Sequence, residues 1–235
     1  MSQVVLVPYR QDNYGFLIVG HDGAAIAIDA GDDAAYLQAI KAHDVQLQHI
    51  LITHHHADHT SHLSTLRAQT GATVWGPKGI PNLDHEIAEG GDQTLAGLNI
   101  QIIATPGHTL DMLNFYIPDL QAVFTGDTLF TLGCGRLFEG TPELMFNSLQ
   151  KLKTLPDKTW IYGAHEYTLA NLDFALNTHP ENESLKNRAE VIRTLRDQGK
   201  PTVPSTIGAE KATNPFLIAQ NVQEFTQLRA AKDAF

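Results

Sequence analysis

A chain of 235 residues with a net charge of −10 is long enough to bury a sizeable core and too acidic to attract nucleic acid, whose backbone it would repel. Its 43% hydrophobic and 18% charged residues are ordinary for a globular protein, and no apolar run approaches the ~20 residues that cross a bilayer. The single Cys134 excludes an internal disulfide and fits a reducing compartment; the start, Met1-Ser2-Gln3-Val4-Val5-Leu6, has neither a basic region nor a long apolar stretch. A cytoplasmic protein with no membrane or nucleic-acid partner is therefore expected. Residues 1–170 carry 8 Lys+Arg against 18 Asp+Glu, whereas residues 171–235 carry 8 against 8. All the excess negative charge thus lies in the first part, where a solvated acidic surface and bound divalent cations would both accommodate it.

Strand-length apolar runs recur through the first 165 residues: Val4–Val7, Phe16–Val19, Ala25–Ile28, His49–Ile52, Thr73–Trp75, Leu98–Ile103, Leu113–Ile117, Ala122–Phe124 and Trp160–Tyr162. They are rich in β-branched and aromatic residues and separated by Gly, Pro, Asn or Asp. Helical patterns interrupt them. Asp33–His43 places Tyr36, Leu37 and Ile40 on one face, His62–Thr70 stops at Gly71, and Thr141-Pro142 opens Glu143–Leu155 with a cap followed by Pro. Beyond Thr168 the pattern is helical, over Leu169–Thr178, Ser184–Gln198 and Asn221–Asp233, and no strand is expected there. The fold class is α/β, with a main domain over 1–170 and a small helical domain over 171–235.

Chemistry concentrates at strand ends. A buried strand ends at Thr53, and His54-His55-His56-Ala57-Asp58-His59 follows. His54 and His56 are two apart, so in extended backbone their side chains point the same way. Asp58 and His59 lie on the turn into a helix and can address a second point a few ångströms away. One such His pair is easily an accidental His-rich loop; four candidate ligands in six residues argue otherwise. Three further strands run into Thr105-Pro106-Gly107-His108, Thr125-Gly126-Asp127 and Gly163-Ala164-His165. Each places a ligand-capable side chain beside a Gly that lets the backbone turn closely. Imidazole and carboxylate donors suit Zn, Fe or Mn alike. Asp29, after the strand Ala25–Ile28, is either an orienting partner for a ligand histidine or plain turn chemistry.

The run Thr53–His59 matches the T-H-x-H-x-D-H signature of the metallo-β-lactamase superfamily, and His108, Asp127 and His165 match its remaining ligands in order. The resemblance implies a four-layer αββα sandwich. It implies one metal on His54, His56 and His108, a second on Asp58, His59 and His165, and Asp127 as the bridge. Asp58 and Asp127 are then the carboxylates of the catalytic centre, with Asp127 holding metal and not acting as a base. Two divalent ions are implied, Zn foremost, with Fe or Mn as alternatives.

The chain also resembles one branch of that superfamily, the hydroxyacylglutathione hydrolases or glyoxalase II. Three stretches carry this likeness: Gly133–Thr141 (GCGRLFEGT), Ala164–Thr168 (AHEYT) and Arg229–Phe235 (RAAKDAF). The branch implies hydrolysis of S-D-lactoylglutathione to D-lactate and glutathione by a hydroxide between the metals, the second step of methylglyoxal detoxification, in a monomer. Substrate contacts would come from Arg136, Phe138, Tyr167, Arg229 and Lys232. Cys134 reads as structural. The chain departs from the pattern at Thr60-Ser61-His62, where a Gly-Gly pair is common, at Leu110-Asp111 in place of Gly-His, and at Phe138 where some relatives carry Tyr. A lactonase, a β-lactamase or a mono-iron persulfide dioxygenase would keep the ligands but not need the Arg229–Lys232 tail.

Overall fold

The computed structural model describes residues 2–235. Its backbone contacts divide into two compact units, Met1–Ala104 with Asp111–Phe124, and Thr105–Leu110 with Thr125–Phe235.

The first unit is built on a six-stranded sheet in the order β1-β2-β3-β4-β5-β6. Its strands are β1 (Gln3–Tyr9), β2 (Asn13–Val19), β3 (Ala24–Ile28), β4 (Gln46–Leu51), β5 (Thr73–Gly76) and the short β6 (His85–Glu86). The first three pair antiparallel; β3, β4, β5 and β6 run parallel, which requires crossovers. Helix α1 (Asp33–His43) and then α2 (Ala57–Thr60) and α3 (Leu63–Thr70) supply them. Asp32 caps α1 by accepting from the Ala35 N–H. Tyr36, Leu63 and Leu66 pack on Leu17, Ala25, Ala27, Ile50 and Val74, covering one sheet face. An antiparallel meander follows: β7 (Gln93–Leu95), β8 (Leu98–Ala104), β9 (Leu113–Ile117) and β10 (Ala122–Gly126). In β8 the sequence alternation is the burial alternation, with Leu98, Ile100 and Ile102 inward. Phe16 of β2 meets Phe124 of β10 at 5.4 Å between ring centroids, so within this unit the two sheets pack face to face.

The second unit begins where β10 ends. It holds the hairpin β11 (Leu129–Phe130) and β12 (Gly133–Cys134), α4 (Pro142–Lys153), β13 (Trp160–Gly163), α5 (Thr168–Thr178), α6 (Glu183–Asp197), β14 (Ser205–Thr206), α7 (Ile207–Thr213), α8 (Pro215–Ile218) and α9 (Val222–Ala234). Thr141 caps α4 with Pro142 at its first position, and the buried Met145, Ser148, Leu149 and Leu152 form its inner face. Strand β14 corrects the expectation that nothing after Thr168 is extended: Ile161 and Trp160 of β13 pair with Ser205 and Thr206. Two residues are too short to show a period in sequence.

The helical tail grips the β11–β12 hairpin through buried polar groups. Glu210, fully buried, accepts from the Leu132 N–H at 2.8 Å, from Asn214 at 3.0 Å, and from Ser205 and Arg188 at 2.5 Å each. Asn214 donates to the carbonyls of Phe130 (3.3 Å) and Gly133 (3.1 Å), and Asn171 to that of Thr131 (3.1 Å). Leu132 sits at φ +60°, a left-handed conformation that a branched residue keeps only when its surroundings impose it. Glu210→Ala leaves the Arg188 charge without its carboxylate and should cost about 3–5 kcal/mol of folding stability. Urea denaturation measures this; a loss below about 1 kcal/mol would mean that the hairpin holds itself.

Candidate metal centre

Two sets of donors are assembled, one in each unit. In the first, β4 delivers the chain to Thr53, and the Thr53 N–H and hydroxyl both donate to Asp29 at 2.8 and 3.0 Å. Asp29 also takes the Nδ1 of His59 at 2.7 Å. Thr53 Oγ1, its proton directed at Asp29, accepts from His54 Nδ1 at 2.9 Å. Asp29 therefore orients two histidines at once, one directly and one through Thr53, and does so from a buried position at φ +63°. The rings of His54 and His59 lie 4.2 Å apart and those of His54 and His56 4.7 Å. Asp58 Oδ2 is 3.5 Å from His59 Nε2 and is steered by Asn13 Nδ2 at 3.0 Å, while Tyr9 fixes the Asp58 carbonyl at 3.0 Å. Gly31 is required here, since a Cβ would collide with the Asp58 carbonyl and the Tyr9 ring.

In the second unit Asp127 presents one carboxylate oxygen to each of two imidazoles: Oδ2 is 3.3 Å from His108 Nε2, and Oδ1 is 3.4 Å from His165 Nε2. The other nitrogen of His108, Nδ1, donates to the carbonyl of Arg136 at 2.8 Å. Gly135 makes that loop possible, because a Cβ there would strike the Asp127 carbonyl and the His108 ring.

The hydrogen bonds decide the tautomers. His54, His59 and His108 each give their Nδ1 proton to an acceptor, so the neutral ring has its lone pair on Nε2. Nε2 of His59 then faces a carboxylate oxygen of Asp58, and Nε2 of His108 one of Asp127, acceptor against acceptor. A cation between such pairs turns repulsion into ligation, and a hydrogen-bonded Nδ1 is the usual support of a ligating histidine. The donor sets fit metal ions.

The substrate candidates all lie in the second unit. Arg136 is exposed, Phe138 is exposed with its ring edge-on to His108 at 5.2 Å, and Tyr167 stacks on His165 at 4.6 Å. Lys232 donates to the Ala170 carbonyl at 2.7 Å over the rings of Phe174 and Phe235; burial, then the neighbouring Arg229, lowers its pKa. The Arg229 side chain is only 8% exposed, donating to the Cys134 carbonyl (3.0 Å) and to Asp233 (2.9 Å), with Phe216 beneath it.

The departures from the family pattern are absorbed locally. Ser61 bonds to the Gly31 carbonyl and Arg10, His62 pairs with Asp33 at 2.7 Å, Asp111 pairs with His55 at 3.0 Å, and the Leu110 N–H donates to Glu139. Sequence reasoning missed Asn13, Tyr9 and Asp233, whose side chains order these groups. Only Asp233 had a signal, inside R-A-A-K-D-A-F.

With this geometry in view, comparison with known proteins is decisive. Residues 11–165 match the metallo-β-lactamase superfamily model, and residues 166–235 match the hydroxyacylglutathione hydrolase C-terminus. A hydroxyacylglutathione hydrolase of Brucella anthropi is 49% identical over 213 residues, covering 88% of this chain and 82% of that protein. One from Rhizobium meliloti is 44% identical over 234 residues, covering 96% and 91%. The chain belongs to the hydroxyacylglutathione hydrolase family. Its fold is accordingly the metallo-β-lactamase fold with a C-terminal helical region, and the crystal structure of ETHE1 from Myxococcus xanthus shares it, at TM-score 0.75 and 27% identity over 98% of this chain and 90% of that one.

Two outcomes follow for this member of the hydroxyacylglutathione hydrolase family. Asp29→Ala removes the common acceptor behind His54 and His59, so metal affinity should fall ~10–100-fold; competition with a chromophoric chelator measures it, and unchanged affinity would make Asp29 turn chemistry only. Burial pushes the Cys134 thiol up to about 11 against the opposing Arg229 charge. Iodoacetamide at pH 8 should therefore leave native Cys134 unmodified and alkylate it only after denaturation; prompt labelling of the native protein, read by mass spectrometry, would contradict this.

Proposed function

We propose that this chain hydrolyses S-(2-hydroxyacyl)glutathione thioesters, S-D-lactoylglutathione in the first place, giving D-lactate and glutathione. The observation that carries the reading is similarity along the whole chain, tail included, to hydroxyacylglutathione hydrolases. We further infer that His54, His56 and His108 hold one divalent ion, that Asp58, His59 and His165 hold another, and that Asp127 bridges them. In support, Asp127 offers its two oxygens to two different histidines. Two ions held there would supply Lewis acidity, for a nucleophilic water at neutral pH and for negative charge on the thioester oxygen. Zn suits these donors, and Fe or Mn does too.

The chain's own residues then have separable tasks. Asp29, Thr53 and the Arg136 carbonyl keep three imidazoles in the ligating tautomer. Asp127 and Asp58 would serve as ligand carboxylates and not as general bases. The leaving thiol has a pKa of only ~8.5, so it departs as thiolate and needs no dedicated acid. Arg136 and Lys232 supply positive charge for the glutathione carboxylates; Tyr167 and Phe138, beside His165 and His108, line the approach. Residues 1–170 would be the catalytic domain and 171–235 the substrate-binding one. No helix among the described residues is long and apolar enough to cross a membrane. A monomer in a reducing cytoplasm completes the reading, in keeping with the lone buried thiol.

An assay on S-D-lactoylglutathione with metal measured in the same sample tests this. Thiol release without oxygen uptake, about two metal equivalents per chain and loss of activity on chelation are expected. Oxygen uptake with glutathione persulfide and no action on thioesters would overturn it. Full activity with one metal, and with Asp58→Ala harmless, would reject the paired-ion site.

A further inference from the structure

The tail cluster around Asp233 assigns a role to a residue that neither ligates metal nor attracts an anion. Asp233 Oδ1 accepts from Arg136 Nε at 3.2 Å and from Arg229 Nη2 at 2.9 Å, a single oxygen shared by two guanidinium groups. The two arginines are unlike. Arg229 is immobilised by the Cys134 carbonyl, by Asp233 and by the ring of Phe216, itself fully buried. Arg136 is 59% exposed, and among the described residues no other side-chain bond of its guanidinium accompanies the one to Asp233.

An exposed arginine carries rotamer entropy that a binding partner must overcome unless the protein has already done so. The contact to Asp233 engages Nε, which leaves the terminal nitrogens available to a second carboxylate. Two guanidinium charges against one carboxylate also keep the cluster at +1. We propose that Asp233 is a positioning residue: through Arg229 it ties Arg136 to the buried base of α9 and presents that arginine, pre-oriented, to a carboxylate of the glutathione moiety. This rests on the thioesterase reading above. It deepens that reading by naming which cation meets the substrate and what holds it.

The test is a double-mutant cycle on S-D-lactoylglutathione with the metal-loaded enzyme. Asp233→Ala should raise KM on the order of fivefold to tenfold and leave kcat and metal content within twofold. Asp233→Asn retains an acceptor at the same place and should recover most of the loss. In an Arg136→Ala background, which keeps the carbonyl that supports His108, Asp233→Ala should raise KM no further, because its whole effect passes through Arg136. Equal KM effects of Asp233→Ala with and without Arg136 would overturn the proposal and reduce Asp233 to a helix-end contact. So would a fall in kcat or metal content as large as the rise in KM. Wild-type protein that neither hydrolyses the thioester nor binds glutathione by calorimetry would instead overturn the functional reading itself, and this role with it. Asp233 is 38% exposed, so Asp233→Ala should fold, with a melting temperature lowered by the loss of the buried Arg229's partner; a single cooperative melting transition above the assay temperature checks it.

Discussion

A carboxylate taken out of water must find its hydrogen bonds within the protein, and two such groups organise this chain. Asp29 collects Thr53 and His59; Glu210 collects Leu132, Ser205, Asn214 and Arg188. The first determines where the histidines of the HHHADH segment point. The second determines the shape of the hairpin between Asp127 and the Gly135–Phe138 loop. Neither touches substrate or metal, yet the donor geometry in each unit rests on them. A fully satisfied buried carboxylate has one arrangement that works and many that do not, which is the rigidity a ligand sphere needs.

Arg136 joins two duties in one residue. Its carbonyl receives the Nδ1 proton of His108, and its side chain reaches Asp233. Moving the loop to suit a substrate would therefore disturb His108, and the loop is correspondingly constrained. Gly135 packs against the Asp127 carbonyl, the Phe138 N–H bonds to the His108 carbonyl at 3.2 Å, and Arg229 holds the Cys134 carbonyl. Cys134 contributes bulk and a backbone oxygen here. Its thiol, kept protonated by burial, takes no part in chemistry.

Much of this was legible in the sequence. All nine strand-length runs proved to be strands and all six helical stretches helices, because each was long enough to display its period. What escaped was short. β6, β11, β12 and β14 are two residues each, β7 is three, α2 and α8 are four and α7, the longest, is seven; their existence depends on partners distant in the chain. The same distinction governs the site. Ligand-capable residues announce themselves by type and by their place at strand ends. Asn13, which steers Asp58 across 45 positions, cannot be recognised from spacing, and the inward turn of Arg229 follows from Phe216 and Cys134, which no helical pattern reveals.

Anion binding by so acidic a chain is a local matter. The tail is neutral by count, and half of its eight cations are already committed: Arg188 to Glu210, Arg196 to Glu166 and the Lys200 carbonyl, Lys211 to Asp157, Lys186 to Glu183. Charge balanced in this way stabilises helices and hairpin and leaves little field at a distance, particularly beyond the Debye length of ~8 Å in physiological salt. The Arg136–Asp233–Arg229 group is the exception, two positive charges against one negative beside the loop that supports His108. An anionic substrate would thus meet no general attraction on approach, only a small cationic surplus held in fixed orientation next to His108. Selection by geometry of that surplus, more than by net charge, is what such an arrangement provides.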